Sequence, residues 1–98
     1  MKLKSPLDYV IKAIELTKTR RDACPHFPVY DMLLTQLDYV RTVFEGVEKD
    51  KSKLHQLSIG AIASKELEEN DPELARALKD AYYVAIQSAR GLNIQLTE

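Results

Sequence analysis

Residues 54–96 read LHQLSIGAIASKELEENDPELARALKDAYYVAIQSARGLNIQL, and the pattern of this stretch decides the fold. Two apolar-periodic segments flank an acidic break, KELEENDPEL. In the second segment Leu74, Leu78, Ala81 and Ala85 recur at helical spacing and share one face. Asp71-Pro72-Glu73 supplies the start of that helix. The aspartate is a side-chain cap, the proline needs no N–H partner, and the acid meets the positive end of the dipole. Gly91 suits the left-handed position just past the helix end. Leu92, Ile94 and Leu96 then alternate with Asn93 and Gln95, which predicts a short extended C-terminal tail.

The same start signal occurs upstream, at Ser5-Pro6-Leu7-Asp8, followed by Leu7, Val10, Ile11 and Ile14 at helical spacing. That helix runs to about Asp22, because Pro25 and Pro28 forbid continuation. A second helix starts near Val29, with Leu33, Leu37, Val40, Phe44 and Val47 on one face and Gly46 as its stop. Asp50 or Ser52 caps a third. Its apolar positions are Leu54, Leu57, Ala61 and Ile62 on one side and Ile59, Ala63 and Leu67 on the other. This third helix reads as a central one packed on two sides, with Gly60 letting a neighbouring backbone approach. The alternative is a tolerated surface glycine, since a mid-helix glycine costs ~1 kcal/mol relative to alanine. Short connections favour antiparallel neighbours. The expected fold is all-α: a four-helix bundle-like single domain over residues 1–98.

At 98 residues there is room for one hydrophobic core, and 45% apolar with 30% charged residues is an ordinary globular composition. A formal net charge of −1 leaves no basic excess to neutralise phosphates, which argues against nucleic acid as the main partner. The charge is nevertheless uneven. Lys2, Lys4, Lys12, Lys18, Arg20 and Arg21 make the first segment basic, while Glu66, Glu68, Glu69, Asp71 and Glu73 make the third junction acidic. Cys24 is the sole cysteine, so no internal disulfide forms, as in reducing compartments. Pro6, Asp8, Lys12 and Glu15 interrupt any N-terminal apolar run, so neither a signal peptide nor a membrane span is expected and the default location is the cytoplasm.

No catalytic set emerges. Cys24 and His26 lie between prolines, with no periodic element to aim them. A structural zinc site takes four ligands, and Cys24, His26 and His55 are the only Cys and His side chains, so no metal or cofactor is expected. Gly46, Gly60 and Gly91 are isolated, so there is no phosphate-cradling loop. The chain reads as a binder, not an enzyme.

Two features go beyond folding. Asp71 and Glu73 are accounted for by the helix start, but Glu66, Glu68 and Glu69 stand at the C-terminal end of the third helix, where acids are disfavoured. They form either a partner surface or a solubilising turn. On the fourth helix Tyr83 points away from Leu74, Leu78 and Ala85, and Arg76, Lys79, Gln87 and Arg90 share its face. A tyrosine among arginines off the core has the composition of an interface hot spot. The alternative packs Tyr83 on the tail or another helix. Tyr82 sits beside the core face as a structural residue. A second apolar stripe, Tyr9, Ala13 and Leu16, faces another helix, a homodimer or a partner.

The words HxL…GxIAxKE…DPEL…ALKDAYYVxI…RGL fall on His55, Leu57, Gly60, Ile62, Ala63, Lys65, Glu66, Asp71 to Leu74, Ala77 to Val84, Ile86 and Arg90 to Leu92. With Pro6 to Val10 and Gln36 to Arg41 upstream, they resemble a family of bacterial immunity proteins that protect type VI secretion bacteria from a co-encoded effector toxin destroying cytoplasmic NAD(P)+. The resemblance implies an antitoxin that occludes the toxin's active site. An NAD(P)+-consuming site must hold a pyrophosphate, so it tends to present positive potential, and the carboxylates of Glu66, Glu68, Glu69 and Asp71 suit such a target. The alternatives are immunity against a different toxin, such as a nucleotide pyrophosphokinase, and a helical adaptor or regulatory protein.

Overall fold

The computed structural model describes residues 5–90. Four α-helices follow in order: α1 (Pro6–Ala23), α2 (Val29–Phe44), α3 (Ile59–Ile62) and α4 (Pro72–Ala89). A 3-10 turn (Ser52–Gln56) precedes α3, and a π turn (Ala63–Leu67) continues it. The Gly91 stop and the alternating tail at Leu92, Ile94 and Leu96 lie outside the described residues.

Both cap–proline–acid signals start helices. Ser5 and Asp8 form a reciprocal box: the Asp8 N–H donates to Ser5 Oγ and the Ser5 N–H to Asp8 Oδ2, each at 3.2 Å. At α4 the Leu74 N–H donates to Asp71 Oδ1 at 3.3 Å. Between α1 and α2 the Phe27 ring meets Tyr30 edge-on with centroids 5.0 Å apart, closing the proline loop. Gly46 ends α2 with φ at 79°, a left-handed conformation that favours glycine.

α1 lies between α2 and α4 and packs on both. Its core face is Val10, Ala13 and Thr17, all fully buried, with the Thr17 hydroxyl satisfied by the Ala13 carbonyl at 2.6 Å. Opposite stand Leu33, Leu37, Val40 and Val43 of α2, and Leu74, Ala75, Leu78, Ala81 and Ala85 of α4. The second apolar stripe of α1, open in the sequence between another helix, a homodimer and a partner, finds cover within the chain. Ala13 is fully buried within the chain, and Tyr9 and Leu16 are half-buried against the same core, so the second apolar side of α1 meets another helix. Val43, not Val47, completes the core face of α2; Val47 lies past the helix end and is exposed.

The third helix is the larger correction. No single helix spans the residues after Ser52. The chain makes a 3-10 turn and an extended step at Leu57, then restarts at Ser58. Gln36 of α2 fixes that restart: its Oε1 accepts from the Ser58 N–H at 2.9 Å, and its Nε2 donates to Ser58 Oγ at 2.8 Å. Ile59, Ala63 and Leu67 are buried, and on the other expected side Leu54 is fully buried while Leu57 and Ile62 pack half-buried on the same core, so that of these apolar positions only Ala61 is exposed. Gly60 does admit a close neighbour, but that neighbour is a ring and not a backbone. A Cβ there would stand 2.9 Å from Tyr82 Cδ2.

Candidate functional site

The broken arm runs back along α4, with Gly60 against Tyr82 at one end and the acidic junction near the start of α4 at the other. Changing from α to π geometry widens the last turn, a local irregularity frequent at functional positions. It ends the helix at Leu67 and carries Glu66, Glu68 and Glu69 outward, all three exposed. Ser64, Lys65, Glu66, Glu68, Glu69 and Asn70 line a shallow depression of about 310 Å³ there.

Lys79 Nζ donates to Glu68 Oε1 at 2.8 Å. This contact brings together what the sequence presented as two separate patches, the acidic junction and the outer face of α4. Arg76 stands on the same face with its side chain 75% exposed, paired to Asp80 at 3.2 Å. One turn beyond Lys79, Tyr83 is 41% exposed, and Arg90 is exposed at the helix end. Gln87 is half-buried. Tyr82 is half-buried over Gly60, a structural position.

The junction acids thus divide by role. Glu68 has a local partner in Lys79, which explains one acid at an unfavourable helix end. Glu66 and Glu69 form no ion pair among the described residues. Asp71 is engaged by its own chain. Its carboxylate accepts from Arg20 Nε at 2.6 Å and Nη2 at 3.3 Å, and its backbone N–H donates to the Leu67 carbonyl at 2.7 Å. Arg20 Nη2 also reaches Glu73 Oε1 at 2.7 Å. The Arg20 hydrogen bonds hold the Asp71 carboxyl below its ordinary range against a partial desolvation that pushes it up. The same bonds to Asp71 and Glu73 raise the guanidinium further above neutrality.

Arg20 was visible in the sequence only as part of a basic segment. The signal that finds its role is topological. Antiparallel α1 and α4 bring the last turn of one beside the first turn of the other, so a late arginine meets early acids. A second concavity, of about 240 Å³, lies between α1 and α2, lined by Ile14, Lys18, Arg21, Leu34, Asp38 and Arg41. There Arg41 is held by Asp38 and by Glu45 at 3.3 Å. Cys24 and His26 are both exposed in the loop after α1. No three His, Cys, Asp or Glu side chains among the described residues are placed to share a metal ion. No described helix is long and apolar enough to cross a membrane.

The immune protein Tsi6 of Pseudomonas aeruginosa is 45% identical over 95 residues, spanning 94% of this chain and 98% of that protein. The solved structure of Tse6 in complex with Tsi6 contains a chain that matches with a TM-score of 0.91 at 44% identity, covering 96% of this chain and 100% of its own. The structure of Tsi6 from Pseudomonas aeruginosa matches with a TM-score of 0.84 at 44% identity, over 95% and 97% of the two chains. The Tsi6 family model matches residues 5–87, and the chain belongs to the Tsi6 family of immunity proteins.

Proposed function

We propose that this protein is an immunity protein that binds a cognate type VI secretion effector toxin and blocks its active site without catalysing any reaction. The observation that carries this reading is the relative solved in complex with Tse6, whose chain is 44% identical and matches this one at a TM-score of 0.91. The toxin is an NAD(P)+ glycohydrolase, as the motif resemblance implies. Protection then takes place in the cytoplasm, where the substrate is.

The proposed contact surface is the joined one: Glu66, Glu68, Glu69 and Asp71 at the junction, with Arg76, Lys79, Tyr83, Gln87 and Arg90 along α4. Two features support it. Glu66 in the π turn and Glu69 two residues past its end are exposed and without ion-pair partners among the described residues, so docking need break no internal pair to use them. The exposed Tyr83 ring, one turn beyond Lys79 on α4, offers a rigid apolar anchor of the kind that dominates binding energy. A cleft built for a dinucleotide pyrophosphate presents positive potential. Carboxylates placed there speed capture and exclude the substrate. An antitoxin must bind tightly, because one free toxin turns over many substrates. Nanomolar affinity is roughly −12 kcal/mol, within reach of a standard interface holding a few hot spots.

The test is to purify the tagged protein from its native host and assay its partner. The expected partner is stoichiometric, kills cells when its toxin domain is expressed alone, and consumes NAD+ until this protein is added. A toxic partner that consumes ATP and spares NAD+ would move the reading to a pyrophosphokinase toxin. A harmless partner would leave an adaptor.

A further inference from the structure

We propose that Arg20, which stands outside the contact surface, is a positioning residue for recognition: it sets the place of the acidic junction from across the fold. The inference rests on the function proposed above and names a residue on which that surface depends.

The geometry converges on Asp71. Its carboxylate takes two hydrogen bonds from Arg20 and one from the Leu74 N–H that starts α4. Its own N–H closes onto Leu67, the last residue of the π turn. Glu68, Glu69 and Asn70 therefore form a three-residue bridge whose ends are both tied to one aspartate. Arg20 fastens that aspartate to the last turn of α1, with side chains only 26% and 18% exposed, and reaches on to Glu73. A bidentate arginine fork fixes direction as well as distance, which a point charge does not. Without the fork, the Asp71 and Glu73 carboxylates lose the cation they share, and the bridge must be ordered anew on binding.

Charge and position predict opposite signs here. Removing Arg20 makes the junction more negative. If charge alone drew the toxin, Arg20→Gln would bind a positive cleft faster and more tightly. The positioning role predicts weaker binding.

The experiment measures Arg20→Gln and Arg20→Lys, each in the wild-type and the Glu66→Gln/Glu69→Gln backgrounds, against the toxin domain encoded beside this protein. Arg20→Gln is expected to weaken affinity about tenfold, mostly through faster dissociation, and Arg20→Lys by less, as a single contact replaces the fork. In the Glu66→Gln/Glu69→Gln background the loss shrinks to under about threefold, because the two act as a unit. Hydrogen exchange on the free protein supplies the readout that a merely structural role would not give. Amides from Leu67 to Leu74 should exchange about tenfold faster in Arg20→Gln while those of α2 are unchanged. Equal or tighter binding, full additivity across the two backgrounds, or loss of protection spread through α2 would each overturn the proposal. A Glu66→Gln/Glu69→Gln protein that binds like wild type would overturn the junction reading instead, and the exchange result would still decide the role of Arg20.

Discussion

From Pro6 to Phe44 the chain forms two long, regular helices with one loop between them; from Ser52 to Leu67 it passes through three helical types in sixteen residues. The first region buries aliphatic ridges against α4 and makes a frame. The second buries only Leu54, Ile59, Ala63 and Leu67 and leaves most of its other side chains exposed. A frame needs repetition, since every turn must present the same face. A recognition element needs the repetition broken, since a straight helix would carry its last acids along its axis and not out to the side. The π turn is that break, and Glu66 within it and Glu69 just past it are both exposed. Under the proposed function, stability is concentrated in the frame and binding in the arm together with the outer face of α4.

That division can be broken by mutation. The largest expected effect is on the frame: Leu78→Ala, at a fully buried α4 position, should cost roughly 2–5 kcal/mol in urea unfolding. A loss under ~1 kcal/mol would mean that α4 does not anchor the core. Next comes the arm. Glu66→Lys with Glu69→Lys should lower toxin affinity on the order of 100-fold, about 2.7 kcal/mol, through both like-charge repulsion and lost contacts. The unfolding free energy of the same variant should stay within about 0.5 kcal/mol of wild type, as for exposed substitutions generally. A fall in stability without a fall in affinity would reverse the assignment of the two regions.

Gly60→Ala probes the seam between frame and arm. Alanine gains ~1 kcal/mol of helix propensity, but its Cβ must displace the Tyr82 ring from 2.9 Å. Displacement in a packed site costs about 1–3 kcal/mol, so a net loss of roughly 1 kcal/mol is expected, with partial recovery when Tyr82→Leu is added. The smallest effect is acid dependence. The Asp71 carboxyl is held below its ordinary 3.8 in the folded protein, so its contribution to stability is present above that value. It is lost as pH falls through the lower folded value. Asp71→Asn should therefore flatten the acid limb of a stability-against-pH curve below about pH 4 and keep the cap on α4, because an amide oxygen still accepts from Leu74. An unchanged acid limb would show that Arg20 and Asp71 are not coupled in solution.

The frame was legible in the sequence because its information is local and repeated. Ser5 to Asp8 and Asp71 to Glu73 state where helices begin, and Leu33, Leu37 and Val40 state which side goes inward. The arm was misread as one helix for a physical reason. Leu54, Leu57, Ile59, Ala61 and Ile62 satisfy helical spacing only if the turn between them is regular, and Leu57 is extended. What breaks the helix is the Gln36–Ser58 pair, a contact between residues 22 apart that no local pattern announces. The stripe on α1 was ambiguous in the same way. Tyr9, Ala13 and Leu16 declared a second contact without declaring its partner, and packing between α2 and α4 answered it. The acids at the junction stood out as residues at an unfavourable helix end. Their link to Lys79 and the Arg20 fork, both long-range, did not.

The most direct test of the account is a hydrogen-exchange footprint of the complex with the cognate toxin domain. The account predicts added protection over residues 63–71 and along the exposed face of α4 from Arg76 to Arg90, with α2 unchanged. Protection confined to the concavity between α1 and α2, at Lys18, Arg21, Leu34 and Arg41, would contradict it and place the toxin on the frame.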